Sequence, residues 1–324
     1  MSLFTLADLE ATAELVHTVV PATPQFAWPL LSERTGAQVW VKHENHTPIG
    51  AFKIRGGLTY MDWLKRSGPK ASGVISATRG NHGQSIAVAG RRAGLSATIV
   101  VPHGNSAEKN AAMQGFGAEL IVHGRDFDEA KEHAAHLAGE RRLHFVPSFD
   151  PLLVRGVATY ALEFFRAVAD LHAVYVPIGM GSGICGLIAT RDLLHLKTRI
   201  IGVVAEAAPA VALSIDAGRP VPTNSARTFA DGMACRDPHP QAVELIGKGA
   251  ERIVRVGEDE IAEAMRIYYS VTHNVAEGAG AAPLAALLKE RDGMRGKRVG
   301  LILSGGNIDT EAFRTVLGGE TPAA

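Results

Sequence analysis

The 324-residue sequence predicts an α/β protein built on parallel sheets, and three observations carry that expectation. Over residues 73–204, short β-rich runs alternate with helical patterns of about 10–15 residues, the rhythm of repeated βαβ units. Hydrophobic residues make up 46% and charged residues 20%, the balance of a globular chain. The length exceeds what one small core needs, so the chain forms either two domains or one large α/β unit.

Taken in order, residues 6–19 have the pattern of an amphipathic helix ending before Pro21. Pro21, Pro24 and Pro29 then predict an extended connector. Residues 39–41 form a short strand, and residues 51–64 a helix that stops near Gly68-Pro69. Strands are expected at 73–76, 97–101, 119–122 and 144–146, with helices at 81–93, 107–116 and 126–139. Gly94 and Gly117 close the first two of those helices. A second series gives a helix at 152–168, a strand at 173–176, a helix at 182–196 and a strand at 200–204. Helices at about 259–273 and 280–289 lead to a last strand at 298–303 and a closing helix at 309–317. Residues 209–237 lack periodicity and read as irregular, and long loops of that kind in compact domains often carry function.

Composition excludes several classes. Lys+Arg and Asp+Glu both number 33, so no global field favours nucleic acid or an anionic membrane. Cys185 and Cys235 are the only cysteines, which argues against a disulfide framework and for a reducing compartment. Residues 1–14 carry Asp8, Glu10 and Glu14 and lack the basic-then-apolar order of a leader. No apolar run approaches the ~18 residues of a membrane span. A cytoplasmic protein is expected.

Four stretches suggest chemistry. In Thr47-Pro48-Ile49-Gly50-Ala51-Phe52-Lys53, turn residues place Lys53 at the mouth of a helix, where a bound group can reach it. By itself this reads equally as a surface lysine beside a solvated Arg55. Gly179-Met180-Gly181-Ser182-Gly183 lies between a strand and a helix, where close backbone approach and free N–H groups suit a phosphate. Continued through Ile184-Cys185-Gly186, with Glu206 ending the next strand, the same segment also satisfies a dinucleotide fingerprint. Thr78-Arg79-Gly80-Asn81-His82-Gly83 is another strand–helix junction. Its Asn81 is suited to holding a hydroxyl, a phenolate or a carboxylate, or simply to capping the helix. Ser304-Gly305-Gly306-Asn307 ends the last strand, and such an end points at the ligand crevice of a parallel sheet.

In this order the four stretches resemble the fold type II pyridoxal-phosphate enzymes, in their serine/threonine dehydratase and serine racemase branch, over about residues 21–317. The dinucleotide reading leaves three of the four stretches unexplained and is set aside. The resemblance implies a tryptophan synthase β-like architecture of two open, doubly wound parallel-sheet domains. Residues 1–48 and 150–324 would form the large, cofactor-binding domain and 49–149 the small one. It implies pyridoxal 5'-phosphate as cofactor, with Lys53 as the catalytic residue that carries the aldehyde as a Schiff base and later removes the substrate's α-proton. Phe52 would pack beside it, Asn81 would bond the 3′-oxygen, and Gly179, Met180, Gly181, Ser182 and Gly183 would cradle the phosphate. Ser304 would meet the ring nitrogen. A hydroxyl there leaves that nitrogen largely unprotonated, which favours prompt loss of a β-hydroxyl over a long-lived carbanion. Thr78, Asn81 and His82 would receive the substrate carboxylate at their helix start.

The implied activity is an ammonia-lyase converting a β-hydroxy amino acid to a 2-oxo acid and ammonia. Threonine or serine is the default substrate, with 3-hydroxyaspartate or a bulkier analogue open. The rivals are a β-replacement enzyme of the cysteine-synthase type and a cofactor-binding protein without catalysis. A homodimer follows from the resemblance alone.

The sequence departs from the family pattern at several points. Ala51 replaces a common serine. Arg79 stands where racemases carry an acid serine, and a guanidinium with a pKa above about 12 is a poor proton donor. Racemisation is therefore not expected, and Arg79 either faces solvent or reads a second carboxylate on the substrate. Glu206 is retained from the family's divalent-cation site. Ala210, Val211 and Ala212 follow where oxygen ligands belong, so no metal is predicted. Cys235 makes the substrate side of the pocket less polar. The chain ends soon after its last helix, so no regulatory domain or feedback inhibition is expected.

Overall fold

The computed structural model describes residues 3–324. The chain begins with α1 (Leu6–His17), where the Thr5 hydroxyl accepts from the Asp8 N–H and the Asp8 carboxylate accepts from the Thr5 N–H. Then come β1 (Gln25–Ala27), α2 (Pro29–Thr35), β2 (Gln38–His43), α3 (Lys53–Ser67), β3 (Gly73–Ala77), α4 (Asn81–Ala93), β4 (Ser96–Val101) and α5 (Ala107–Gly115). β5 (Glu119–Val122), α6 (Phe127–Glu140), β6 (His144–Phe145), α7 (Pro151–Ala167), β7 (Ala173–Pro177), α8 (Ser182–Leu193) and β8 (Arg199–Ala205) continue the alternation. The chain closes with α9 (Ala210–Ala217), α10 (Pro240–Gly249), β9 (Arg252–Val256), α11 (Glu258–Thr272), α12 (Gly278–Lys289), α13 (Arg291–Met294), β10 (Arg298–Leu303) and α14 (Thr310–Leu317).

The strands form two sheets, one in the order β1-β2-β10-β7-β8-β9 and one in the order β5-β4-β3-β6. Alternate residues of the larger sheet enter opposite cores. Val39, Tyr175, Ile201 and Leu301 pack with α11 and α12, while Val174, Val176, Ile200 and Ile302 pack with α7 and α8. The smaller sheet divides likewise, with Val74 and Ile99 toward α3 and α4, and Ile75 and Val100 toward α6. Strands buried on both faces explain why these segments read as continuous apolar runs. In the larger sheet the strand order reverses between β7 and β10, and in the smaller one between β3 and β6. Such reversals are where open α/β sheets bind ligands.

The structure corrects the sequence reading in four places. The larger sheet has an antiparallel edge that the parallel-sheet expectation did not include, because the chain returns through α2 and β2 runs back along β1. The proline-rich connector contains both β1 and α2, since Pro29 sits at the first helical position, where it lacks no needed N–H. Residues 209–237 are not wholly irregular. α9 occupies Ala210–Ala217, a helix of 8 residues, too short to display the helical repeat. α10 and β9 also went unassigned. The Arg-Ile-Val-Arg-Val stretch of β9 is an edge strand, paired only with β8, with Arg252 and Arg255 bound to Glu290 and Asp216.

Two features aim α3, the helix that begins at Lys53. Gly56 and Gly156 let α3 cross α7 at close range, because a Cβ on Gly56 would stand 2.9 Å from the Leu153 carbonyl oxygen. The second is a buried ionic cluster joining β2, α3 and α7. Arg55 donates to Glu44 at 2.7 and 3.0 Å and to Glu163 at 2.6 and 3.1 Å, and Lys42 donates to Glu163 at 2.6 Å. Arg55 is thus fully enclosed two residues after Lys53, contrary to the solvated side chain one reading of the sequence allowed. Burial alone would lower its pKa, but Glu44 and Glu163 hold it above the usual value. Glu163 is held down to about 2, burial being outweighed by Arg55 and Lys42. Removing one member of such a cluster strands a buried charge, so the cluster fixes the start of α3 against the larger sheet.

Candidate active site

The residues singled out for cofactor and substrate come together in one cavity between the carboxyl ends of the two sheets. It lies beside the reversal points, with the β7–α8 loop and the end of β10 on one side and the β3–α4 junction on the other.

Lys53 opens α3 inside this cavity. Its Nζ donates to the Ser182 hydroxyl at 3.2 Å and lies 5.0 Å from the centroid of the Phe52 ring. No carboxylate forms an ion pair with it among the described residues. Burial therefore lowers its pKa to about 8, with Glu277 pulling weakly the other way. A second lysine also lines the cavity. Lys109 donates to both oxygens of Asp231 at 2.7 and 2.6 Å and lies 3.5 Å from Glu277. Burial would lower its pKa, but Asp231 and then Glu277 more than offset this and hold the ammonium charged. Of the two amines, only Lys53 is poised to lose its proton near neutral pH.

The β7–α8 loop is shaped by its glycines. Gly181 has φ 99°, in the left-handed region, and a Cβ on Gly179 would run into the carbonyl oxygen of Gly232. The start of α8 has no side-chain cap, so its first-turn N–H groups are left for a ligand. The Tyr160 hydroxyl donates to the Gly183 carbonyl at 3.1 Å and steadies the loop from below. Ser304, at the end of β10, is buried at the cavity edge, and its carbonyl accepts from the Phe52 N–H at 3.0 Å. That bond ties the ring-nitrogen candidate to the chain at Lys53.

At the β3–α4 junction, Thr78 accepts from the Gly80 N–H at 2.9 Å, so its hydroxyl hydrogen stays available. Asn81 is clamped at both ends of its amide, by Glu277 and by Asn307, each at 2.8 Å. His82 is buried and neutral, its pKa pushed down to about 3 by burial and then by Lys53. Ser76 donates to the Val146 carbonyl at 2.8 Å, so His82 Nε2 must be the donor in its 3.1 Å contact with Ser76. His82 therefore presents no positive charge, and its one N–H is already used. Arg79, half-buried in the cavity wall, has no hydrogen bond or ion pair among the described residues, and its Nε is buried without a partner. Cys235 lies 3.7 Å from the Met180 sulfur, and burial pushes its thiol up to about 12, so it is a neutral, weakly polar wall.

Sequence reasoning did not single out Lys109, Asp231 or Glu277. Asp231 stands in the Ala230-Asp231-Gly232 turn beside Cys235, and Glu277 in a Gly-Ala-rich helix start, but Lys109 sits in an ordinary amphipathic pattern. Glu206 lies outside the cavity, exposed, with the Lys289 ammonium 3.4 Å away. Among the described residues no group of three His, Cys, Asp or Glu is placed to hold a metal ion.

The sequence matches the pyridoxal-phosphate dependent enzyme family over residues 16–305, most of the chain and all of this cavity. The chain belongs to that family. Among its relatives is a biosynthetic L-threonine dehydratase of Haemophilus influenzae, 34% identical over 304 residues; the match covers 93% of this chain but 59% of that protein. An L-threo-3-hydroxyaspartate ammonia-lyase of Saccharomyces cerevisiae is 31% identical, with 98% of this chain and 97% of the relative covered. The structure of the processed threonine deaminase isoform 2 of Solanum lycopersicum superposes with a TM-score of 0.90 at 31% identity, covering 97% of this chain and 91% of that one. These place the chain in the serine/threonine dehydratase-like branch, with pyridoxal 5'-phosphate as the family's cofactor.

The cavity fits that cofactor on its own terms. The loop at Gly179 and Gly181 leaves a cradle that any side chain would fill, beside an uncapped helix start suited to a phosphate. Lys53 provides an amine free of any acid partner, and Ser304 offers a hydroxyl in place of a carboxylate.

Proposed function

We propose that this member of the pyridoxal-phosphate-dependent enzymes is an ammonia-lyase that eliminates water from a β-hydroxy amino acid, releasing a 2-oxo acid and ammonia. One observation carries the reading. Of two lysines in the cavity, Lys109 is bound to both oxygens of Asp231, while Lys53 is enclosed with the Ser182 hydroxyl and no ion-paired carboxylate among the described residues, the setting of an acid–base group. Bound pyridoxal phosphate supplies an electrophilic aldehyde and an electron-withdrawing ring. In this reading Gly179, Met180, Gly181, Ser182 and Gly183 hold the phosphate through backbone N–H groups, and Phe52 packs beside the ring. Asn81 would donate to the 3′-oxygen, and Ser304 would offer its hydroxyl to the ring nitrogen.

The substrate carboxylate rests at the start of α4, on the free hydroxyl hydrogen of Thr78, with Asn81 and neutral His82 as its walls. Lys53 Nζ takes the proton from the α-carbon. The bond from the β-carbon to its hydroxyl breaks and the leaving oxygen takes up the proton that Lys53 removed, so that water departs and Lys53 is again a neutral amine. The released enamino acid adds water and loses ammonia. Arg79 is the free cation of the substrate side, and Cys235 with Met180 forms its apolar wall. Serine, threonine and 3-hydroxyaspartate are the candidate substrates, the last favoured by the unpaired guanidinium of Arg79.

The sheet membership of residues 25–43 and 173–303, against that of 73–145, supports a large unit of residues 1–48 and 150–324 and a small unit of 49–149. A homodimer in the cytoplasm that binds no nucleic acid completes the reading. It rests on the family and on equal numbers of acidic and basic residues. No helix among the described residues is long and apolar enough to cross a membrane.

The test is 2-oxo-acid release by the cofactor-loaded protein from the isomers of serine, threonine, 3-hydroxyaspartate and phenylserine, with Lys53→Ala as control. Release that vanishes in the variant is expected. Protein that holds cofactor yet releases no 2-oxo acid from any of them overturns the reading.

A further inference from the structure

The amide of Asn81 is oriented by a chain of bonds whose polarity is set at one end by a backbone carbonyl. Asn307 Nδ2 donates to the Ile49 carbonyl oxygen at 2.7 Å, and that oxygen only accepts, so the nitrogen of Asn307 is identified. The same nitrogen lies 2.8 Å from Asn81 Oδ1, which must accept. The Asn81 nitrogen therefore faces Glu277 and donates to its Oε1 at 2.8 Å. One Nδ2–H and one lone pair of Oδ1 remain free, and Asn81 lines the cavity.

We propose that Glu277 is a positioning residue: it holds the Asn81 amide so that a free N–H stays available to the cavity. The proposal rests on the reading of Asn81 as the partner of the cofactor's 3′-oxygen, an anionic acceptor that only this orientation satisfies.

The surroundings of Glu277 suit the role. It is buried, and its N–H donates to the Gly305 carbonyl at 3.1 Å, which fixes it next to the end of β10. Its Oε2 makes no well-formed hydrogen bond and faces the Lys109 ammonium at 3.5 Å. The charged groups around it are Lys109 from α5 at 3.5 Å, Asp231 beyond that lysine, and Lys53 from α3. Because Lys109 is engaged by both oxygens of Asp231, it only loosely compensates Glu277. Burial pushes Glu277 up to about 7, with Lys109 opposing and Asp231 assisting. A proton taken up on Oε2 leaves Oε1 accepting from Asn81, so the amide keeps its orientation in both charge states. Bringing an anionic oxygen to Asn81 favours that proton, and ligand binding is thereby linked to proton uptake at Glu277.

The test compares Glu277→Gln, whose carbonyl can still accept from Asn81, with Glu277→Leu, which cannot. The full chain is stripped of cofactor and titrated with pyridoxal phosphate. Glu277→Leu should weaken the dissociation constant about tenfold, and Glu277→Gln by less than about threefold. Should Glu277→Leu fail to fold, Asn307→Leu removes the constraint at the other end of the amide and should weaken binding similarly. Calorimetry near pH 7 in two buffers of different ionisation heat gives a second readout. The wild type should take up more protons on binding than Glu277→Gln, a difference that a merely structural role would not produce. Unchanged affinity in Glu277→Leu, equal weakening in both Glu277 variants, or equal proton uptake in wild type and Glu277→Gln each overturns the proposal. These outcomes are read from cofactor binding, whereas the ammonia-lyase reading fails on product release from a loaded wild type, so the two failures are distinct.

Discussion

Lys53→Met is the perturbation whose effect follows most directly from the environment of the candidate base. The lysine stands without an acid partner, and burial brings its pKa from the ordinary 10.5 to about 8. The folded state therefore binds this proton less tightly than the unfolded chain does. Below pH 8 both states hold the proton, and the full cost of burying the ammonium is present. At about 1.4 kcal/mol per tenfold change in affinity, that cost amounts to roughly 3 kcal/mol. Between pH 8 and 10.5 the unfolded chain keeps a proton that the folded protein has released, so wild-type stability rises with pH and the cost disappears. Methionine fills similar volume without charge. The bond it removes, from Nζ to Ser182, involves a hydroxyl at the cavity edge and is worth about 1 kcal/mol. Urea unfolding of the cofactor-free proteins at pH 7 should thus find Lys53→Met more stable by about 2 kcal/mol, with the advantage shrinking steadily above pH 8. A variant no more stable than wild type at pH 7, or an advantage that does not change with pH, refutes the reasoning.

Arg55→Met should act in the opposite direction, because it leaves Glu44 and Glu163 buried with only Lys42 and the exposed His17 imidazole beside them. A loss of about 3–5 kcal/mol in urea unfolding at pH 7 is expected, and an unchanged midpoint would deny the cluster its role in anchoring α3. Arg79→Ala should lower kcat/KM for 3-hydroxyaspartate about tenfold or more relative to threonine, since a desolvated guanidinium–carboxylate pair is lost. An unchanged substrate ranking removes Arg79 from side-chain recognition. Gly179→Ala should abolish cofactor retention while the protein still folds, measured by absorbance after gel filtration, because the added methyl meets the Gly232 carbonyl.

Much of this site was legible in the sequence because its parts are local. A glycine loop between strand and helix, a turn before Lys53 and a serine at a strand end each declare their chemistry within a few residues. What escaped notice depends on distant segments. Lys109 is 122 residues from Asp231, and its charge state is decided by that contact, which nothing in the helix pattern around it announces. Arg55 looks solvated beside Lys53, yet its partner Glu163 lies 108 residues away on α7. His82 looks like a ligand for a carboxylate until Ser76 occupies its N–H and burial keeps it neutral. In the fold, most elements with a full apolar repeat were found, α10 being the exception. α2, α9 and β9 were missed because they are short or lie at edges, where packing and not pattern decides their form.

The central claim is that Lys53, and not the neighbouring Lys109 or the buried Lys42, is the amine that carries the cofactor. Borohydride reduction of the loaded protein followed by peptide mass mapping tests it directly. The geometry predicts the pyridoxyl group on Lys53 alone, with Lys109 unmodified in its pair with Asp231. Label on Lys109, or none on any lysine of a protein that has bound pyridoxal phosphate, would contradict the claim.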